Sequence, residues 1–237
     1  MPNIARYESK YLLNYEKYLS IKNDLSPYME KDKYSTQSPT GSYLVRSLYF
    51  DTFDYQAYKD KLDGFFGRTK FRLRCYSSEK ESLKSISVEI KTKTGNTVEK
   101  YTSPVPLEYY DYFMENWHWP EYTTPVLIDF ERSVLLRILT PVVIVEYQRE
   151  GMCDYLGDGV RVTFDHSLKS ADCEELFPKN PFFSGHFPEY IVLEVKSREV
   201  PPAWLKRIIQ RHGLKLVAYS KYVQSIIVSR NDLFSPN

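Results

Sequence analysis

Alternation with a period of two runs through the middle of the chain. In Arg68–Tyr76, RTKFRLRCY, the cations Arg68, Lys70, Arg72 and Arg74 alternate with Thr69, Phe71, Leu73 and Cys75. Two is the period of a β-strand, so the four cations project from one face and the other face is mostly apolar. Like charges spaced ~6.6 Å along one face repel, which raises the question of what lies opposite them to make the arrangement tolerable.

The pattern predicts further elements on both sides. Arg6 to Leu13 reads as a first strand and Asn14 to about Lys31 as a helix, with Tyr15, Tyr18, Leu19 and Ile21 to Leu25 as its apolar stripe. Tyr34 to Ser42 reads as a polar loop, followed by strands at Tyr43 to Phe50 and Ser85 to Lys93. A Thr94-Gly95-Asn96 turn returns the chain through Thr97 to Tyr101. Pro106 to Trp117 reads as a helix, and strands are predicted near Val126 to Phe130, Val142 to Arg149, Val160 to Asp165 and Tyr190 to Ser197. Phe177 to Pro188 is a long loop. Two helices follow, one from Pro201 to about His212 stopped by Gly213, the other from Ser220 to about Val228. The expectation is an α+β fold: an antiparallel eight-stranded β-barrel with helices packed outside, formed as a single domain over residues 1–237.

Composition narrows the partners. With 32 Lys+Arg against 31 Asp+Glu, there is no global basic field to drive nonspecific nucleic-acid binding. Cations that matter here matter by local concentration. Cys75, Cys153 and Cys173 form no CxxC pair, and His118, His166, His186 and His212 have no metal-ligand spacing. No apolar run reaches the ~20 residues of a membrane span, and MPNIARYESKY lacks an apolar signal core, so a cytoplasmic setting is expected.

The charged face recurs on other strands. Glu89, Lys91 and Lys93 share a face, as do Glu194 and Lys196, then Arg161, Thr163 and Asp165, then Arg6, Glu8 and Lys10, and Tyr147 with Arg149. A solvated sheet face is the plain explanation of such alternation. This face, however, is rich in cations and arginine on strand after strand, while the opposite face is apolar and can be covered by helices. Pointed into a barrel lumen, the cations outnumber Glu8, Glu89, Asp165 and Glu194, and burial without counter-charge is costly. An elongated anionic ligand then supplies the balance, and arginine's fork suits phosphate oxygens. A polyphosphate or a nucleoside triphosphate fits. A triphosphate calls for a divalent metal, and hard oxygen ligands suit Mg2+ or Mn2+, with Glu194 as the leading ligand and Glu8 or Glu89 as helpers. Gly64-Phe65-Phe66-Gly67-Arg68-Thr69-Lys70 lacks P-loop spacing and reads as a glycine turn feeding the cationic strand.

Taken in order, RYESKYLL, VRSLYFDT, RTKFRLRCY, SVEIKTK, VEK, VEYQRE, RVTFDHSL, YIVLEVKS and YSKYVQSI resemble the VTC (vacuolar transporter chaperone) catalytic domain, a polyphosphate polymerase of the triphosphate tunnel metalloenzyme superfamily. The resemblance implies phosphate contacts from Lys10, Arg72, Arg74, Lys91, Lys100, Tyr147, Arg149, Arg161, Ser220 and Lys221, and a metal-binding role for Glu194. Arg46, Lys70, Lys93 and Lys196 lie beside these motifs and are carried as substrate-binding. It also implies ATP and inorganic polyphosphate or pyrophosphate as partners. One departure is informative. Hydrolytic members of the superfamily show ExExK on the first strand, and here Arg6 stands in the first glutamate's place, leaving Arg6-x-Glu8-x-Lys10. A second departure is the lack of a membrane span or accessory domain, which reads as a stand-alone form. The leading function is an ATP-dependent polyphosphate polymerase. The alternatives are a triphosphate hydrolase and a non-catalytic polyphosphate-binding module. Nucleic-acid binding is disfavoured, because Phe71 falls on the face opposite the cations.

Overall fold

The computed structural model describes residues 7–95 and 97–230. Arg6 and Asn96, which enter the reading of the first strand and of the hairpin turn, lie outside the described residues. The chain divides into two compact units, and strands β7 (Thr140–Asp154) and β8 (Val160–Ala171) pass through both.

The first unit holds the described residues up to Leu44 with Tyr147–Leu168 and Gly185–Ser220. Its strand order is β1 (Tyr7–Leu13), β10 (Ile191–Ser197), β8, β7, with the short β2 (Met29–Lys31) added on β7. Lys10 pairs with Glu194 and Glu8 with Lys196 across β1 and β10, and Glu194 pairs with Thr163 and Lys196 with Arg161 across β10 and β8. All of these residues therefore share one face. The opposite face presents Tyr11, Leu13, Leu193, Val195 and Val162 to helices α1 (Tyr15–Leu25) and α6 (Ala203–Arg211). Asn14 caps α1 by accepting from the Lys17 N–H at 2.9 Å. Of the expected stripe of α1, Tyr18, Ile21 and Leu25 are buried, whereas Tyr15 and Leu19 are exposed. The helix stops at Leu25 instead of running to Lys31, because Met29–Lys31 becomes strand β2. The polar loop contains a short helix, α2 (Lys33–Gln37), whose cap Asp32 accepts from the Ser35 N–H at 2.8 Å. Gly151 makes this cap possible: a Cβ there would sit 1.9 Å from Asp32 Oδ2.

The second unit comprises Val45–Glu146, Lys169–Ser184 and the chain from Lys221. Its strand order is β7, β3 (Tyr43–Asp51), β4 (Gly67–Cys75), β5 (Ser85–Thr94), β6 (Thr97–Pro106). The even positions of β4 carry the cations, and its odd positions Phe71, Leu73 and Cys75 enter the core with Leu48, Phe50, Val88 and Ile90. That core is closed by α4 (Leu107–Asn116) and α5 (Pro125–Arg137). Gly95 makes the β5–β6 turn with φ +57°, a conformation glycine adopts without steric cost.

Helix α5 corrects the strand predicted at Val126 to Phe130. Read in isolation, VLIDF is a short apolar run, and periodicity alone does not separate a strand from a buried helix segment. Pro125 opens the helix at its first turn, and Leu127, Phe130 and Val134 fall on one buried face. Phe130 packs edge-on against Phe50 and Phe71, with ring centroids 5.4 and 5.8 Å away. Burying a side chain of this size stabilises by about 2 kcal/mol. Helix α3 (Gln56–Leu62) was not predicted: its N-cap Tyr55 supplies no side-chain acceptor, and Asp51 at the end of β3 accepts instead from the Ala57 and Tyr58 N–H groups.

The α+β class and the antiparallel pairing agree with expectation. Among the described residues the strand count is ten rather than eight, since β2 and the two-residue β9 (Ser184–Gly185) add to β7 and β8. Each unit's sheet is open rather than closed, ending at β1 in one and at β6 in the other. No helix among the described residues is long and apolar enough to cross a membrane.

Candidate functional site

The second unit builds a ladder of like charges. Arg68 lies opposite Lys93, Lys70 opposite Lys91, and Lys91 in turn opposite Lys100. Like charges placed directly across a sheet are destabilising, so the arrangement is intelligible as a receptor for an anion. Glu89, paired with Arg72 and 1% exposed, brings a carboxylate into this run of cations. Arg72 Nε donates to Glu89 at 2.6 Å, Lys100 Nζ donates at 2.7 Å, and Arg74 Nη1 stands 3.8 Å away. Burial would raise the Glu89 pKa, but Arg72, Arg74 and Lys100 together hold it well below the usual carboxylate range. The same crowding acts on Lys100. Burial depresses its ammonium to about 8, against the pull of Glu89, and Arg72 and Arg74 add to the drop.

Beside this ladder stands a buried tyrosine pair. Arg72 Nη1 donates to the Tyr49 hydroxyl at 2.8 Å, and the Tyr49 and Tyr222 rings lie 5.2 Å apart. Tyr222 is on α7 (Lys221–Ser229), and its hydroxyl donates to the buried Asp51 carboxylate in a short hydrogen bond. Lys70 Nζ sits 5.3 Å from the centre of the Tyr222 ring. Burial works to raise the Tyr49 pKa, but Arg72, Arg74 and Lys221 outweigh it and lower the value, so Lys221 contributes to the same positive field.

The first unit builds a smaller, mixed-sign cluster. Lys10 Nζ lies 3.3 Å from Glu8 Oε1 and 4.0 Å from Glu194 Oε2, and it donates to the Tyr219 carbonyl at 3.3 Å. Burial lowers the Lys10 pKa, yet Glu194 and Glu8 outweigh it and raise the ammonium above its ordinary value. Lys196 Nζ reaches the other Glu194 oxygen at 2.9 Å. Arg149 is clamped on Asp165 through Nε at 2.6 Å and Nη2 at 2.8 Å, with its guanidinium 5.2 Å from the Tyr147 ring. Thr163, on the same face as Glu194, is buried, and its hydroxyl has no hydrogen-bond partner.

Most of the residues chosen from the sequence are thus brought together within their unit. Arg72, Arg74, Lys70, Lys91, Lys93 and Lys100 share the ladder face, with Lys221 adding to its field. Glu8, Lys10, Glu194 and Lys196 share the other cluster. Ser220 follows Tyr219, whose carbonyl holds Lys10. Two residues stand differently. Arg46 is register partner of Cys75 and so falls on the apolar face, where it binds Glu146 at 2.8 Å and the carbonyls of Ser78 and Leu176. One step of strand parity separates it from Ser47 and Tyr49, which share the face of Arg74 and Arg72. Arg161 shares the face of Lys196, but its Nη2 is held by Asp32 at 2.7 Å and lies 3.3 Å from the Tyr43 hydroxyl. Glu89, expected as a helper ligand, is instead the counter-ion of Arg72, Arg74 and Lys100. Tyr49, Asp51 and Tyr222 were missed, since a Tyr and an Asp in VRSLYFDT carry no spacing signal of their own.

The carboxylates can be tested against a divalent cation. Glu8 and Glu194 both flank Lys10, and no group of three or more His, Cys, Asp or Glu suited to a metal occurs among the described residues. Magnesium-like ions bind through one or two carboxylates and complete their shell with water and substrate phosphates. Two hard oxygen donors fit that mode and do not fit a site made of protein ligands alone.

An antiparallel α+β scaffold with a row of paired cations on one sheet face defines the class, and the comparisons give the family. The VTC domain profile matches residues 5–229, so the chain belongs to the VTC domain family. Among solved structures, a candidate adenylate cyclase from Bacillus halodurans matches with a TM-score of 0.56 at 14% identity, over 93% of this chain and 97% of that one. A candidate adenylate cyclase from Vibrio parahaemolyticus matches with a TM-score of 0.50 at 11% identity, over 92% and 96% of the two chains. At these identities the likeness is one of fold. No curated protein sequence matches the chain.

Proposed function

We propose that this protein is an enzyme of triphosphate or polyphosphate chemistry, and specifically a polyphosphate polymerase that uses ATP. The observation that carries this reading is the like-charge ladder Arg68/Lys93, Lys70/Lys91, Lys91/Lys100, next to Arg72 and Arg74 on the single carboxylate Glu89. A row of cations spaced along a strand matches a row of phosphates. Membership of the VTC domain family supports the same substrate class.

The step is a phosphoryl transfer. A terminal oxygen of the polyphosphate acceptor forms a bond to the γ-phosphorus of ATP. The bond from that phosphorus to the β–γ bridging oxygen breaks, and ADP leaves with the electron pair. The acceptor oxygen is already ionised, so no general base is required. Arg72, Arg74, Lys70 and Lys91 align the anions and stabilise charge spread over the transferring group. Within the first unit, the Lys10 ammonium can donate hydrogen bonds to phosphate oxygens, and Glu8 and Glu194 beside it would hold a Mg2+ or Mn2+ that offsets phosphate charge.

Two supports favour transfer to phosphate over hydrolysis. The carboxylates beside Lys10 are two, and Asp165 and Glu89 are occupied by arginines. The cation rows also suit a long polyanion better than a short one. The test is purified protein with ATP and Mn2+ or Mg2+, with the products resolved on a gel. Polymer formation that Arg74→Ala abolishes is the expected result. Orthophosphate without polymer would reassign the protein as a hydrolase, and binding without turnover would make it a binding module.

A further inference from the structure

The Gly-Phe-Phe-Gly turn noted in the sequence acquires a place in the structure. Gly67 pairs with Thr94 at the start of β4, and one step earlier the Gly95 N–H donates to the Phe66 carbonyl at 2.9 Å. That hydrogen bond extends the pairing one step beyond Gly67, where Phe66, just before β4, meets Gly95 of the turn. Phe66 stands two residues before Arg68, and so on the parity of Arg68, Lys70, Arg72 and Arg74. The face reads, from the hairpin end inward, Phe66/Gly95, Arg68/Lys93, Lys70/Lys91, Arg72/Glu89.

An isolated exposed phenyl ring is commonplace on protein surfaces. The address of this one is not. Phe66 is 73% exposed, packs into neither core, and heads a row of cations. Its ring lies over the partner turn, where a Cβ on residue 95 would come within 2.8 Å of it. Glycine at 95 therefore leaves room for the ring as well as making the turn. A flat apolar face at one end of a phosphate-sized row of cations is the chemistry of a ligand with a flat apolar end and a polyanionic end.

We infer that Phe66 is a base-stacking platform, and that the ladder is built for a nucleoside triphosphate whose base lies on Phe66 and whose phosphates run past Arg68 and Lys93 toward Lys70, Lys91 and Arg72. The inference rests on the triphosphate reading of the ladder and goes beyond it by naming the residue that tells a nucleotide from an inorganic phosphate chain. Phe66 and Lys70 are four residues apart, ~13 Å along the strand. A ribose and an extended triphosphate bridge such a span. Stacking on an aromatic ring tolerates any base, so the platform selects nucleotides as a class more than adenine in particular.

The test compares two ligands on one protein. Dissociation constants for ATP and for inorganic tripolyphosphate are measured by calorimetry on the wild type, Phe66→Ala and Phe66→Trp, with thermal melting as the check on folding. The ratio of the ATP to the tripolyphosphate constant is expected to rise about tenfold in Phe66→Ala and to return to or below the wild-type ratio in Phe66→Trp. An unchanged ratio in Phe66→Ala overturns the inference while leaving the triphosphate site standing. Failure of the wild type to bind either ligand overturns the site and the platform together. Loss of binding to phosphatidylserine vesicles in Phe66→Ala, with the ATP ratio unmoved, overturns the platform in favour of a lipid contact.

Discussion

Lys70 on β4 lies directly across from Lys91 on β5, on the face that also carries Arg72 and Glu89. Two ammonium groups placed opposite each other cost stability in the empty protein. An anion bound between them would offset that cost, so stability and ligand binding are expected to be linked.

Glu89 is the counter-ion of this face. Glu89→Gln leaves Arg72, Arg74 and Lys100 without it and should destabilise the protein by ~3 kcal/mol, because one partner of a buried ion cluster is removed. Saturating tripolyphosphate should restore much of the loss by binding the folded state alone. Thermal melting with and without ligand measures both effects. Since the Glu89 pKa is lowered from 4.5, its contribution is present above that pH and is lost as pH falls through the folded value. Glu89→Gln should therefore flatten the acid limb of the stability profile.

Lys100 should make ligand affinity pH-dependent. Its ammonium is held at about 8 by burial and by its cationic neighbours, so it loses its charge as pH rises through that value. Tripolyphosphate affinity should fall between about pH 7 and pH 9, and Lys100→Arg, which stays charged, should remove that fall. Calorimetric titrations across the range decide it.

The Tyr222–Asp51 hydrogen bond ties α7 to the cap of α3. Tyr222→Phe leaves a buried carboxylate short of one donor and should cost about 2 kcal/mol. In a chain of this length that lowers Tm by ~4–8 °C. Asp51→Asn combined with Tyr222→Phe should be non-additive, since both remove the same contact.

Glu194 and Glu8 share Lys10, and each is expected to hold a divalent ion together with ligand phosphates. Glu194→Gln should weaken Mn2+ binding in the presence of tripolyphosphate by at least tenfold, read by electron paramagnetic resonance, and should stop turnover. Unchanged Mn2+ affinity would remove Glu194 from the metal site.

Several parts of this picture were legible in one dimension. The parity of Arg68, Lys70, Arg72 and Arg74 is a local property, and each strand that alternates reports its own two faces. Asn14 as a helix cap and Gly95 as a turn are likewise short-range. Arg46 shows the limit: it sits in a strand beside the right motif, yet one step of parity turns it to Glu146 and Cys75. Val126 to Phe130 shows another. Whether this five-residue, mostly apolar stretch extends or coils depended on Phe50 and Phe71 offering a surface for Phe130, which lies about eighty and sixty residues away along the chain.

What the sequence by itself determined is which side chains share a strand face, because the pleat repeats every two residues whatever the strand pairs with. What only the tertiary structure decided is which faces meet, and hence that Glu89 neutralises Arg72 and Lys100, that Asp165 holds Arg149, and that Lys70 confronts Lys91. Register between strands is set by the whole buried face and by turn geometry, neither of which any single segment contains.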